Sequence, residues 1–174
     1  MDPEQYCIGC ALDGMPAYRV YGHGQTARAF SWILPINDAY TIWIDPKTNR
    51  TKRFESDLHE GDYTFRSTYI FDWINHNVHT RWQRRQREEQ FKTMRLTDRS
   101  MDALSLYFDL RATPDEDIVD GFSKDLEMVL EDTIRTLRFR YSGREVRKIK
   151  NLGRFNTIKF RCTIATSDGE SFQD

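Results

Sequence analysis

Residues 63–71 place Tyr63, Phe65, Ser67, Tyr69 and Phe71 at every second position, with Thr64, Arg66, Thr68 and Ile70 between them. A period of two sends alternate side chains to opposite sides of an extended backbone, so this stretch is a strand with one aromatic face that must be covered. A chain built around it has to make a sheet. Around it, residues 17–21, 29–36 and 40–44 are short aromatic or β-branched runs, divided by Gly22, Gly24, Pro35, Asn37 and Asp38, which predicts a meander of strands. Residues 45–50 read as a turn and 51–54 as the strand that completes a hairpin. Residues 146–149 and 157–164 read as the final strands, the latter alternating Ile158, Phe160, Cys162 and Ile164.

Other segments read differently. Asp72 suits the N-cap of a helix that runs through Trp73, Ile74, Val78 and Trp82 to Phe91. Residues 104–110 alternate Leu104, Leu106, Phe108 and Leu110, which predicts a strand. Thr113 as cap, Pro114 at the first helical position and Asp115, Glu116 and Asp117 at the positive end of the dipole form the strongest helix start in the chain. Ile118, Phe122, Leu126, Val129, Leu130, Thr133, Ile134 and Leu137 then recur at helical spacing, so a long helix with a core-facing stripe is expected. The fold class predicted is α+β, a mostly antiparallel sheet packed against two main helices. At 174 residues and 39% apolar content one globular domain is expected over 17–166. A flexible arm over 1–16 precedes it, and an acidic tail over 167–174 follows.

No apolar run reaches the roughly 18–20 residues of a membrane span, and the acidic start lacks the pattern of a signal peptide, so a soluble protein made in the cytosol is expected. Cys7, Cys10 and Cys162 are then expected as thiols without a structural disulfide. Cys7 and Cys10 have the spacing of half a zinc site that His76 and His79 would complete; free thiols on the arm are the plainer reading. Residues 21–26, with two glycines, lack a phosphate-binding fingerprint and read as a turn. Four scattered histidines and no nucleophile motif give no catalytic set, so no enzyme, no cofactor and no small-molecule substrate are expected.

Charge is segregated in the second half of the chain. Residues 101–134 hold 10 acidic and 2 basic groups, a net of −8, whereas 135–161 hold 10 basic and 1 acidic, a net of +9. Three physical readings are open. The two blocks pair across one fold; the basic strip binds phosphate of nucleic acid or of anionic lipid; or the acidic face of one copy meets the basic face of the next and builds an open array. The basic candidates are Arg135, Arg138, Arg140, Arg144, Arg147, Lys148, Lys150 and Arg154, interleaved with Phe139, Tyr141, Phe155 and Phe160. The acidic candidates for self-association are Asp115, Glu116, Asp117 and Asp120.

In its element order, a strand over 104–110, an acidic joint over 114–117, a long helix over 118–137 and a basic strand region, the chain resembles a rhabdovirus matrix protein of the short plant-infecting kind. The Lys-rich arm and PPxY motif of animal members are absent; residues 107–110 are the nearest such string. The resemblance implies a non-enzymatic structural protein of the virion and host cytoplasm. Such a protein self-associates, condenses the viral nucleocapsid protein and RNA, and lies against an anionic membrane surface. Two alternatives stay open, an RNA-binding viral accessory protein such as a silencing suppressor, and an enzyme of unrecognised type.

Overall fold

The computed structural model describes residues 6–26, 35–165 and 172–173, and its contacts divide the chain into two compact units. The first unit comprises residues 1–98 and 130–133, the second residues 99–129 and 134–174.

The first unit is a seven-stranded antiparallel meander in sequence order: β1 (Tyr6–Leu12), β2 (Met15–Gln25), β3 (Asn37–Ile44), β4 (Thr51–Glu60), β5 (Tyr63–Asp72), β6 (Asn77–Arg84) and β7 (Gln90–Arg95). The alternation that begins in β5 propagates through the register. Val20, Ile42, Phe54, Tyr69 and Thr80 lie in one row across five strands, and Phe71 stands beside Val78 in the next. Ile42 and Val78 are fully buried, and the Phe54 and Tyr69 rings stack with centroids 5.0 Å apart. Where that face is polar it satisfies itself, as between the buried Ser56 and Ser67 hydroxyls, 2.8 Å apart. Burial pushes the Tyr69 phenol above its ordinary pKa, and Glu131 adds to the shift.

The helix expected from Asp72 to Phe91 is not formed. Asp72 instead accepts from the Asn75 main chain at 3.1 Å and closes a turn, His76 takes a positive φ of 52°, and β6 and β7 follow. The expected arm includes β1, which pairs with β2 and sets Cys10 opposite Ala17. Cys10 is disulfide-bonded, contrary to the thiol expected from a cytosolic reading, whereas Cys162 is free. The strand expected over 29–36 and the acidic tail over 167–174 lie largely outside the described residues.

The second unit holds β8 (Ser100–Met101), α1 (Ala103–Arg111), β9 (Ser123–Val129), β10 (Ile134–Ile149), β11 (Gly153–Ala165) and β12 (Phe172–Gln173). Its sheet order is β12-β11-β10-β9-β8, with β8 and β9 parallel and the other pairs antiparallel. The expected strand over 104–110 is helix. Asp102, with no exposed surface, caps it by accepting from the Leu104 and Ser105 N–H groups at 2.9 and 3.0 Å. Conversely the long helix expected over 118–137 is absent, and β9, a turn and the start of β10 occupy its place. The α+β class with two main helices is therefore replaced by a mostly β chain with one nine-residue helix among the described residues. The core of this unit is Leu106 of α1, Leu126 of β9 and Leu137 of β10, with Met101, Met128 and Phe139 packed around them.

Candidate functional site

The basic segment forms one long hairpin. β10 and β11 pair from Leu137 with Ile164 to Ile149 with Gly153. β9 accompanies β10 only as far as Arg140, and β12 meets β11 only at Ile164 and Ala165. Beyond Arg140 the two strands thus continue without a third, as a ribbon roughly 30 Å long at about 3.3 Å per residue. Asn151 and Gly153, at φ of 65° and 106°, close its turn, and the Leu152 N–H donates to the Ile149 carbonyl at 3.1 Å.

A bulge between Tyr141 and Gly143 leaves Ser142 without a partner and shifts the alternation of β10 against β11 by one residue. Leu137, Phe139 and Tyr141 share a face with Ile164, Cys162 and Phe160; past the bulge Arg144, Val146 and Lys148 continue that face beside Ile158, Asn156 and Arg154. The opposite face carries Arg138 and Arg140 beside Thr163 and Arg161, then Glu145, Arg147 and Ile149 beside Thr157, Phe155 and Gly153.

The structure sorts the eight basic candidates. Arg135 is half-buried opposite Met128 near the base of β10. Arg138 meets Asp125 through two hydrogen bonds of 2.7 Å, and the Asp125 carboxyl is held below its ordinary pKa chiefly by that contact. Arg144 folds onto Asp115, reaching its Oδ2 at 3.3 Å and its carbonyl at 2.9 Å, and also the Ile118 carbonyl at 3.2 Å. Arg147 pairs with Glu145, which Lys159 also approaches at 3.5 Å, so Glu145 stays ionised below its ordinary range. Arg138, Arg144 and Arg147 are neutralised inside the unit, the first two by carboxylates of the acidic block.

Arg135 and four further candidates have no ion pair among the described residues. Arg140 stands directly opposite Arg161, Lys148 stands directly opposite Arg154, and Lys150 occupies the turn. Like charges opposed across a strand pair oppose folding by a fraction of about 1 kcal/mol each. Repulsion is built into the distal ribbon, and an anion lying over it would relieve that repulsion. Among the acidic candidates Asp115 is taken by Arg144, while Glu116, Asp117 and Asp120 are exposed on the loop over 112–122 without an ion pair among the described residues.

Of the four candidate metal ligands, the Cys7 side chain lies outside the described residues. Cys10 is disulfide-bonded in β1, His76 lies in the turn before β6, and His79 in β6 contacts the Thr93 hydroxyl at 2.9 Å. Among the described residues no group of three or more His, Cys, Asp or Glu is placed to hold a metal ion.

Sequence reasoning named Phe155 but missed Val146, Ile149 and Leu152 as the rest of an apolar ribbon end. Val146, Ile149, Leu152 and Phe155 are 54%, 45%, 70% and 43% exposed, and they flank or occupy the turn that Lys148, Lys150 and Arg154 surround. The available signal was Asn151-Leu152-Gly153, a turn string between two basic extended runs, which marks one hairpin with an apolar residue at its end.

Neither a curated protein nor a solved structure matches the chain. Residues 12–173, spanning both units, match the family model of DUF3108, protein of unknown function. The chain therefore belongs to the DUF3108 family.

Proposed function

We propose that the chain is a non-enzymatic binding module whose β10–β11 ribbon takes phosphate-bearing anions. The observation that carries this reading is the cross-strand pair Lys148 and Arg154, two cations opposed on one exposed face with Lys150 beside them and no carboxylate among the described residues against them. Charge left unpaired after folding is available to a ligand, whereas Arg138 and Arg144 already have partners in the chain. The matrix-protein resemblance rested on a strand over 104–110 and a helix over 118–137; the chain has a helix and strands there, so the reading draws on the ribbon instead.

The test is titration of the whole chain with long-chain inorganic polyphosphate at two salt concentrations. Affinity falls steeply with salt, and Lys148→Glu with Lys150→Glu and Arg154→Glu weakens it at least about tenfold. Equal affinity in the triple variant, or salt-independent binding, overturns the reading. Exposed Glu116, Asp117 and Asp120 favour a second reading, head-to-tail association in which these acids meet the ribbon of another copy. Sedimentation velocity checks it: assembly is expected to rise with concentration and vanish in the same triple variant.

A further inference from the structure

Four of the twelve large hydrophobic residues exposed among the described residues, Val146, Ile149, Leu152 and Phe155, fall within ten consecutive positions at the end of the ribbon. They are not confined to one side. Val146 lies on the face of Lys148 and Arg154, Ile149 and Phe155 lie on the face of Arg147, and Leu152 sits in the turn itself. A surface lying flat against the ribbon would cover one set and leave the other wet. An end-on approach covers all of them.

We infer that the ribbon enters an anionic lipid surface end-on, with Ile149, Leu152 and Phe155 in the boundary between headgroups and acyl chains and Lys148, Lys150 and Arg154 on the lipid phosphates. This deepens the anion-binding reading and rests on it. Charge and shape agree with a bilayer: an apolar tip collared by long cationic side chains is the arrangement that lets apolar atoms sink roughly 5–10 Å while ammonium and guanidinium groups stay at the phosphates. The tip is also mostly aliphatic. Single-stranded nucleic acid is held by stacking on aromatic rings, and Phe155 is the lone ring among the four exposed apolar residues. The disulfide at Cys10 fits an oxidising compartment, where lipid surfaces are at hand and nucleic acid is scarce.

The experiment compares three chains, unsubstituted, the triple Glu variant and Ile149→Ser with Leu152→Ser and Phe155→Ser, in flotation with phosphatidylcholine vesicles made with or without phosphatidylglycerol. Polyphosphate and poly(U) binding are measured in parallel, and circular dichroism confirms each fold. Expected is partition onto the phosphatidylglycerol vesicles alone, reduced about fivefold per cation removed, and reduced at least about tenfold by the Ser variant while its polyphosphate affinity is unchanged. In a separate Leu152→Trp chain, headgroup-proximal brominated lipids quench emission beyond the level of the unsubstituted protein. Polyphosphate binding without vesicle partition overturns the lipid inference and leaves the anion-binding reading standing. Loss of poly(U) binding, rather than of vesicle partition, in the Ser variant assigns the tip to nucleic acid and overturns it too. Absence of all binding removes both.

Discussion

Arg138 and Asp125 meet fork to fork across β10 and β9, Nε donating to Oδ1 and Nη2 to Oδ2, each at 2.7 Å. They are directly opposed in the register, so the contact also fixes which residue of β9 faces which of β10. Arg138→Lys preserves the charge but not the planar fork, and is expected to lower the denaturant midpoint and let the Asp125 carboxyl return toward 3.8, read by carboxyl NMR. An unchanged Asp125 titration would show that charge alone sets it.

Leu106, Leu126 and Leu137 form the core of the second unit. Leu126→Ala and Leu137→Ala are each expected to cost about 2–5 kcal/mol, and the double change is expected to depart from the sum because the two residues are opposed in the register. Chemical denaturation followed by far-ultraviolet circular dichroism checks this.

The Thr80 hydroxyl is buried and reaches two main-chain carbonyls, of Lys92 at 3.2 Å and of Glu131 at 2.5 Å. Thr80→Val keeps the shape and removes the donor, and is expected to cost about 1–3 kcal/mol. Faster amide exchange in the turn over 130–133 accompanies it, whereas exchange in β3 stays as it was.

Asp45 accepts from the Lys52 ammonium at 2.9 Å and from the Lys47 and Thr48 N–H groups at 2.8 and 3.1 Å. The Lys52 contact is the chief cause that brings its carboxyl from an ordinary 3.8 down to about 2. A lowered folded pKa means that the unfolded chain binds the proton first. The contribution is therefore complete above about pH 4 and disappears as pH falls through about 2. Asp45→Asn is expected to flatten that part of the stability profile, measured as urea midpoint against pH.

Cysteine accessibility separates the two described sulfurs. Cys162 is free, with its thiol pushed up by partial burial, so iodoacetamide is expected to label it slowly and only as the pH is raised. Cys10 takes label only after reduction.

In the first unit β5 was legible because Tyr63 to Phe71 alternate without competition, and the turn before β4 is written in turn-forming residues, whereas β6 and the start of β7 read as one helix because Asp72 suits an N-cap as well as the turn it closes. The second unit was misread where two periods coincide. Ile118, Phe122, Leu126 and Leu130 satisfy a helix, yet Leu126 and Met128, like Leu137 and Phe139, also alternate, and Asp120-Gly121 and Glu131-Asp132 break the chain at the strand ends. The reverse error fell on residues 104–110, whose alternation concealed a helix that the buried Asp102 initiates. At the ribbon, composition revealed the cations but not their partners. Arg144 and Lys148 look equivalent in the chain, and only pairing shows that one is held by Asp115 and the other opposes Arg154.

Ser142 gives the ribbon a phase. Because β10 is one residue longer than its partner there, everything beyond is turned half a period: Arg144 faces the side from which it reaches Asp115, and Arg147 faces away. Pairing Ser142 with Lys159 in place of the bulge would keep every residue and the net charge of the segment, yet exchange the two sides of distal β10 against a β11 that stays as it was. Lys148 would no longer share a side with Arg154, and Ile149 would leave that of Phe155. For this segment the bulge that absorbs Ser142 therefore matters as much as the identity of the residues beyond it, and a variant that conserves every cation but pairs Ser142 presents a different surface.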